Sequence, residues 1–147
     1  MNLYNPILIT GFVAWMASLA AKAFTMKVVH HEFSWKRVFG DGGMPSSHSA
    51  TVAAVALATG LRMGFDSAPF AIALILALIV MHDARGVRQE TGKQAMVIND
   101  MLALFDSMGK GNITPEETLK EFVGHTGPQV WVGGALGLVV AFLLRNI

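Results

Sequence analysis

The stretch GGMPSSHSA, residues 42–50, places two glycines, a proline, three serines and a histidine just before an alanine-rich apolar run. The proline disfavours helix in the residue before it, and Ser46 or Ser47 is a suitable N-cap for a following helix. Free N–H groups at a helix start attract anions, and a glycine such as Gly43 lets the backbone approach one closely. His48, in the first turn, would point at the same anion. The stretch predicts either a phosphate-binding turn or a capped helix with an interfacial histidine.

A second polar stretch, HDARGVR at residues 82–88, ends an apolar segment. Ionisable residues that border a membrane helix are costly and are therefore functional candidates. Asp83 could pair with Arg88 or orient a histidine, and Arg88 could bind a phosphate through two hydrogen bonds. The alternative interpretation is a salt bridge at the membrane edge.

His125 lies in a third polar stretch, three residues before the last apolar segment. A lone histidine is commonly a structural residue with satisfied hydrogen bonds, and that alternative stays open. His125 is also a candidate nucleophile, because we expect it on the same face of the protein as His48 and Arg88.

Two stretches imitate metal sites. In His30–Glu32, adjacent side chains diverge on a helix, and no partner histidine has helical spacing. Residues 106–117 imitate a calcium loop, but Met108 and Lys110 occupy its third and fifth ligand positions and cannot coordinate calcium. We therefore expect no bound metal.

The composition is typical of a membrane protein. Of the 147 residues, 53% are hydrophobic and 14% are charged, against about 25% charged in a typical soluble domain. The net charge of +1 and the scattered basic residues argue against nucleic-acid binding. Without cysteine, the chain forms neither disulfides nor a thiolate metal site.

Four apolar segments predict an all-α fold, because helices satisfy the backbone inside lipid. The segments run over about Pro6–Phe24, Ser46–Leu61, Ala68–Met81 and Pro128–Leu144. The middle two are short for a span of about 20 residues, and reach that length if their polar ends continue as helix. Apolar residues at helical spacing from Glu90 to Phe105 predict an amphipathic helix. We expect residues 1–147 to form one domain, a small polytopic membrane helix bundle of about four membrane segments plus this connecting helix.

Small residues recur at four-residue spacing in two of the segments, as Ala50, Ala54 and Ala58 and as Gly133 and Gly137. This spacing permits close helix packing in a bilayer, although abundant alanine alone would also produce it. The glycine face is in addition a candidate surface for a homodimer. Thr114, followed by a proline and two acids, predicts the start of a further helix.

Basic residues cluster in the connections at about 25–45 and 82–127, and the N-terminus has no basic side chain. By the positive-inside rule, both connections lie in the cytoplasm and both termini lie outside. The three polar stretches can then share one site. We expect this site on the cytoplasmic face of a bacterial cytoplasmic membrane.

The stretches GGMPSSHSA, HDARGVRQETGKQA and LKEFVGHT, in this order, resemble the divergent branch of the type 2 phosphatidic acid phosphatases. These are small membrane proteins related to the lipid phosphate phosphatases and the vanadium haloperoxidases. The resemblance runs from about Leu8 to Leu144. It implies an all-helical membrane phosphatase in which His125 attacks phosphorus and His48 is the general acid.

The resemblance also implies a set of phosphate ligands. The superfamily's Pro-Ser-Gly-His motif corresponds to residues 45–48, with Ser47 in place of glycine. Its phosphate-binding lysine on the first helix corresponds best to Lys22 and second best to Lys27. The expected phosphate-binding residues are therefore Lys22, Gly43, Ser46, Ser47, Arg88, Lys93 and Lys120.

Two positions depart from the superfamily. Where it has an arginine six residues before the nucleophile, this chain has Leu119, and we assign that arginine's role to Arg88, assisted by Lys120 or Lys93.

Where the superfamily has an aspartate four residues after the nucleophile, this chain has Gln129. A glutamine can accept a hydrogen bond from a ring N–H but carries no charge. Asp83 or Glu121 is the expected substitute for the aspartate, which makes Asp83 a candidate catalytic residue.

The sequence thus predicts hydrolysis of a lipid phosphate or diphosphate through a phosphohistidine intermediate, without a cofactor. The expected partners are the lipid phosphate substrate and membrane lipids, and no nucleic acid. The alternative is a non-catalytic protein that retains the phosphate pocket for lipid-phosphate binding or transport. Phosphatidylglycerophosphate, phosphatidic acid and polyprenyl diphosphate all present a similar phosphate, so the lipid stays open.

Overall fold

The computed structural model describes residues 5–29, 38–39, 43–108, 119 and 124–147, apart from the side chains of residues 29, 88, 89 and 106. Within these ranges the secondary structure is helical, without a strand. The helices are α1 (Pro6–Val29), α2 (Ser47–Met63), α3 (Ala68–Arg85), α4 (Val87–Ser107) and α5 (Gly127–Leu143). This confirms the predicted all-α class. The helix predicted after Thr114 lies outside the described residues.

Helix α2 lies at the centre of the bundle and packs against α1, α3 and α5. Its small residues Ala50, Ala54 and Ala58 are all buried. Lipid tails are as apolar as aliphatic side chains, so membrane helices associate through close van der Waals contact between small residues. The small residues that recur at four-residue spacing in the sequence therefore form the packing face of α2.

The glycines of α5 lie directly against the backbone of α2. A methyl group added to Gly133 would collide with the carbonyl oxygen of Ser46, and one added to Gly137 would collide with that of Ala50. Close approach of two helix backbones is what small residues permit in a membrane bundle. The glycine face is thus used within the chain. A homodimer stays a prediction, and it requires another surface.

The outer surface of the bundle is apolar. Ile79 on α3 is 60% exposed, and Trp131 on α5 is exposed as well. Large continuous apolar surfaces are rare on soluble monomers. Two helical stretches, Pro6–Val28 and Ala68–Phe105, are long and apolar enough to cross a membrane, and α5 is a shorter apolar helix. The chain is a small helical membrane bundle, as the sequence predicts.

Helix α4 continues α3 after a break at Gly86. The Gly86 N–H donates to the carbonyl of His82 at 2.8 Å, and the Glu90 N–H donates to the carbonyl of Gly86 at 3.1 Å. Among the described helices α4 contacts only α3, and its Val97 and Met101 are exposed. The predicted amphipathic helix is confirmed, and it extends away from α1, α2 and α5.

Candidate active site

Helix α2 begins inside the first polar stretch, with Ser46 as its N-cap (φ −70°, ψ 117°). The Ser46 hydroxyl oxygen accepts hydrogen bonds from the Ser49 N–H at 3.4 Å and from the Ser49 hydroxyl at 3.0 Å. Both side chains are fully buried. Of the two serines proposed as the cap, Ser46 takes that role, which leaves the hydroxyl of Ser47 available for another one.

Ser47 is the first residue of α2 and is 8% exposed. Its hydroxyl oxygen is buried and has no hydrogen-bond partner among the described residues. Buried polar atoms in native proteins are nearly always hydrogen-bonded, so this one calls for an explanation. The side chain lines a cavity. An anion bound there would satisfy both this hydroxyl and the free N–H groups of the first helical turn.

The cavity has a volume of about 450 Å³. Its polar wall is formed by Lys22, Ser47, His48, Thr51 and His125. Its apolar wall is formed by Trp15, Leu19, Val38, Phe39, Val52 and Val80. Small-ligand pockets are typically apolar with a few convergent polar groups that fix the ligand's orientation. The arrangement suits a ligand with an anionic head and an apolar body.

Lys22 places its side chain in this cavity from α1 and is 3% exposed. A Cβ added to Gly43 would lie 3.5 Å from Cδ of Lys22, so the lysine's aliphatic stem runs alongside the glycine backbone. Gly43 has φ +82°, a conformation that residues with side chains rarely adopt. Lys27 is exposed and does not line the cavity. Of the two candidate lysines, the structure brings Lys22 to the turn.

His125 reaches the cavity from the segment that precedes α5 and is 3% exposed. Its backbone N–H donates to the carbonyl of Ala84 at 2.9 Å, so the end of α3 holds this segment in place. Gly124, with φ +95°, makes the turn that precedes it. The ring centroids of His125 and His48 are 6.3 Å apart. Both imidazoles can therefore face one small group bound between them.

Gln129 connects the first and third polar stretches. Its side-chain oxygen accepts the Thr126 N–H at 3.0 Å and lies 3.3 Å from Nδ1 of His125. Because an amide oxygen only accepts, this contact suits the tautomer with its proton on Nδ1 and its lone pair on Nε2. The backbone carbonyl of Gln129 accepts the Ser46 N–H at 3.1 Å. One residue thus holds both the phosphate turn and the candidate nucleophile.

Leu119 stands where the superfamily has its arginine. The side chain of Asn99, on α4, hydrogen-bonds to both backbone groups of Leu119, accepting its N–H at 3.1 Å and donating to its carbonyl at 3.0 Å. Leu119 is exposed and does not line the cavity. The contact ties α4 to the segment that leads towards His125.

Among the described residues, the remaining candidates Asp83 and Lys93 do not line the cavity. Asp83 is half-buried on α3, next to Ala84, and is not among the described lining residues. Lys93 is exposed and pairs with Glu90 one turn away, at 2.6 Å. The side chain of Arg88 and the whole of Lys120 and Glu121 lie outside the described residues. We therefore leave Lys93 out of the proposed site.

Neither metal-like stretch can be located in the structure, because His30–Glu32 and most of residues 106–117 lie outside the described ranges. Within those ranges, no group of three or more histidine, aspartate or glutamate side chains is arranged to hold a metal ion.

The sequence reading missed the apolar wall of the cavity. Trp15 and Leu19 precede Lys22 by seven and three residues, and Val52 follows His48 by four. Residues at these spacings share one face of a helix. Helical spacing from Lys22 and His48 would therefore have predicted that Trp15, Leu19 and Val52 line the cavity. The position of Val80 in the wall depends on how α3 packs, which the sequence does not show.

Comparison with known proteins gives two matches. A family model described as the divergent PAP2 family matches residues 3–140. The Bacillus subtilis (strain 168) protein named "Uncharacterized membrane protein YuiD" is 36% identical over 150 residues, covering 97% of this chain and 95% of its own. No solved structure gives a significant match.

Proposed function

Because the chain belongs to the divergent PAP2 family, we propose that it is a membrane phosphatase that hydrolyses a lipid phosphate or diphosphate. One observation carries the proposal: a single cavity is lined by Lys22, Ser47, His48 and His125. Phosphoryl transfer through histidine needs groups of this kind: a buried ammonium, a hydroxyl at a helix start that has no partner among the described residues, and two imidazoles.

Phosphate binding is the first step. The Lys22 ammonium neutralises one of the phosphate oxygens, while the Ser47 hydroxyl and the first N–H groups of α2 donate hydrogen bonds. Gly43, with φ +82°, forms the turn that brings its backbone alongside the Lys22 stem. Arg88 and Lys120 keep their assignment as further phosphate ligands.

Phosphoryl transfer follows. Nε2 of His125 attacks phosphorus, so an N–P bond forms while the bond from phosphorus to the lipid oxygen breaks. His48, as imidazolium, gives its proton to that oxygen, and the dephosphorylated lipid leaves. Gln129 orients His125 by accepting from Nδ1.

Water then completes the cycle. Neutral His48 takes a proton from a water molecule whose oxygen attacks phosphorus, and the N–P bond breaks. Inorganic phosphate leaves, His125 regains its Nε2 lone pair, and His48 is again an imidazolium.

The apolar wall and the membrane setting support a lipid as the substrate. A phosphate bound at Lys22 would place the rest of the molecule near Trp15, Leu19 and Val52, which a hydrophilic metabolite would not favour. We place the site on the cytoplasmic face of a bacterial cytoplasmic membrane, following the distribution of basic residues.

The test uses histidine variants of purified protein with a panel of lipid phosphates. We expect His48→Ala and His125→Ala each to abolish phosphate release while expression and membrane insertion stay normal. His82→Ala is the matched control, because His82 is exposed at the end of α3 and does not line the cavity. Wild-type activity in both cavity variants would refute the mechanism.

A second candidate function is non-catalytic binding or transport of a lipid phosphate. It is favoured by the neutral Gln129 at the position that faces Nδ1 of His125, because an amide does not stabilise an imidazolium as a carboxylate does. Lipid binding that inorganic phosphate competes with, together with no phosphate release from any lipid of the panel, would support this second function.

A further inference from the structure

Helices α1 and α3 each pack against α2 but have no close backbone contact with each other among the described residues. Both pack against α2, but among the described residues no Cα of α1 lies within 8 Å of a Cα of α3. Helix α5 packs against α1, α2 and α3, and so closes the opposite side of the bundle. The described residues therefore leave a cleft between α1 and α3, with α2 as its floor.

The apolar wall of the cavity lies along this cleft. Trp15 and Leu19 come from α1, Val52 from α2 and Val80 from α3. Val80 is half-buried, whereas the next residue towards the N-terminus, Ile79, is 60% exposed on the outer surface. The cleft thus joins the polar end of the cavity to the surface of α3 that faces the lipid.

The seam between α1 and α2 is tightly packed further along α1, at Gly11 and Val55. A Cβ added to Gly11 would lie 2.7 Å from a methyl carbon of Val55, so the two helices are in close contact there. Lys22 lies about three turns further along α1, roughly 16 Å away at 1.5 Å per residue. A chain that starts at Lys22 therefore cannot pass between α1 and α2 near Gly11, whereas the gap between α1 and α3 offers it a route to the side.

We propose that the cleft between α1 and α3 is a lateral entrance through which a hydrocarbon chain of the membrane lipid passes while its phosphate binds at Lys22 and Ser47. The inference rests on the proposed function for the nature of the head group. A cavity of about 450 Å³ does not enclose a phospholipid with two long acyl chains, so most of the chain length stays in the bilayer. Val80 and Trp15, at the two sides of the entrance, then determine which chains are accepted.

Turnover of three substrates by two tryptophan variants tests the entrance. Val80→Trp narrows the cleft, and Ile79→Trp places the same side chain on the neighbouring lipid-facing position as the matched control. For dioleoyl phosphatidic acid, we expect Val80→Trp to lower kcat/KM by at least about tenfold. For dihexanoyl phosphatidic acid and phenyl phosphate, which need little or no room in the cleft, we expect a loss at least about fivefold smaller than for dioleoyl phosphatidic acid. Ile79→Trp stays within about twofold for all three.

Two turnover results would overturn the proposed entrance. One is an equal loss for all three substrates in Val80→Trp, which would indicate damage to the site itself. The other is no loss for any substrate, which would mean that the chain does not pass Val80. In both cases wild-type turnover still supports the phosphatase function.

Photocrosslinking tests the same cleft without turnover. A phosphatidic acid with a photoreactive group in one acyl chain is incorporated into phosphatidylcholine vesicles that hold the protein, and labelled residues are identified by mass spectrometry. We expect label on Trp15 and Val80 that excess unlabelled phosphatidic acid removes, and label on Ile79 that it does not remove. Such label in a protein that releases no phosphate would support the entrance and refute the enzyme. Label on Trp15 and Val80 that excess phosphatidic acid leaves unchanged would refute the entrance.

Discussion

The contact between Gly133 and Ser46 couples the stability of the bundle to the geometry of the site. A Cβ added to Gly133 would lie 3.0 Å from the backbone nitrogen of Ser46, 3.1 Å from its carbonyl carbon and closer still to its oxygen. These are backbone atoms that cannot rotate away. Since a carbon in contact with a carbonyl oxygen normally lies about 3.3–3.6 Å from it, α2 and α5 must separate by roughly 1 Å.

Gly133→Ala should therefore reduce both stability and activity. Alanine is better than glycine in a helix by about 1 kcal/mol, but overpacking costs about 1–3 kcal/mol, so we expect a net loss of up to about 2 kcal/mol. The same shift pulls the Gln129 carbonyl away from the Ser46 N–H and moves His125 relative to the phosphate turn. A misplacement of about 1 Å can cost about 10²-fold in rate, and we expect kcat to fall by that order.

The neighbouring glycine provides the control. A Cβ added to Gly134 meets the end of the Met81 side chain, at 3.1 Å from Cε, and methionine is flexible enough to move aside. Gly134→Ala should keep wild-type activity and unfold at the same temperature or slightly higher. Thermal unfolding in detergent, followed by circular dichroism, and phosphate release measure the two effects. If Gly133→Ala behaves like Gly134→Ala in both assays, the close contact of α2 with α5 is not as described.

Three further results are expected from the same assays. Gln129→Leu removes two hydrogen-bond contacts of the side chain, so it should lower stability by about 1–2 kcal/mol and should lower kcat by a larger factor than it raises KM. Gln129→Glu should retain activity because its side chain still accepts from Nδ1. Equal activity of the wild type and both variants would contradict the role given to Gln129. Ser47→Ala removes a hydroxyl without a described partner, so thermal stability should not fall while KM rises by about 5–10-fold; unchanged KM would exclude Ser47 from phosphate binding. The pH dependence of kcat/KM should be bell-shaped, because the mechanism needs a neutral His125 and a protonated His48; activity that does not decline at alkaline pH would contradict the role of His48 as general acid.

Local chemistry made several features of the fold predictable. The serine cap after Pro45, the amphipathic pattern from Glu90 to Phe105 and the small residues of α2 and α5 all depend on interactions within a few residues along the chain. The structure agrees with each of them. Lys22 was preferred to Lys27 from its correspondence to the superfamily's lysine, and it is the one of the two that lines the cavity.

Contacts between distant segments were not predictable in the same way. That Asn99 holds the backbone of Leu119, that Ala84 holds the backbone of His125 and that Gln129 reaches the His125 ring all depend on tertiary packing. The sequence alone predicted Lys93 as a phosphate ligand, because the direction in which a charged side chain points from a helix is not known until the helix is placed in the fold.

The sequence by itself determined that this protein is a helical membrane bundle with three polar stretches that resemble the divergent PAP2 family, because hydropathy, helix caps and motif order are properties of neighbouring residues. Only the tertiary structure decided that Lys22, Ser47, His48 and His125 share one cavity, and that a cleft between α1 and α3 opens beside them. The physical reason is the packing of α2: glycines let α5 approach its backbone on one side, whereas on the other side α1 and α3 stay apart.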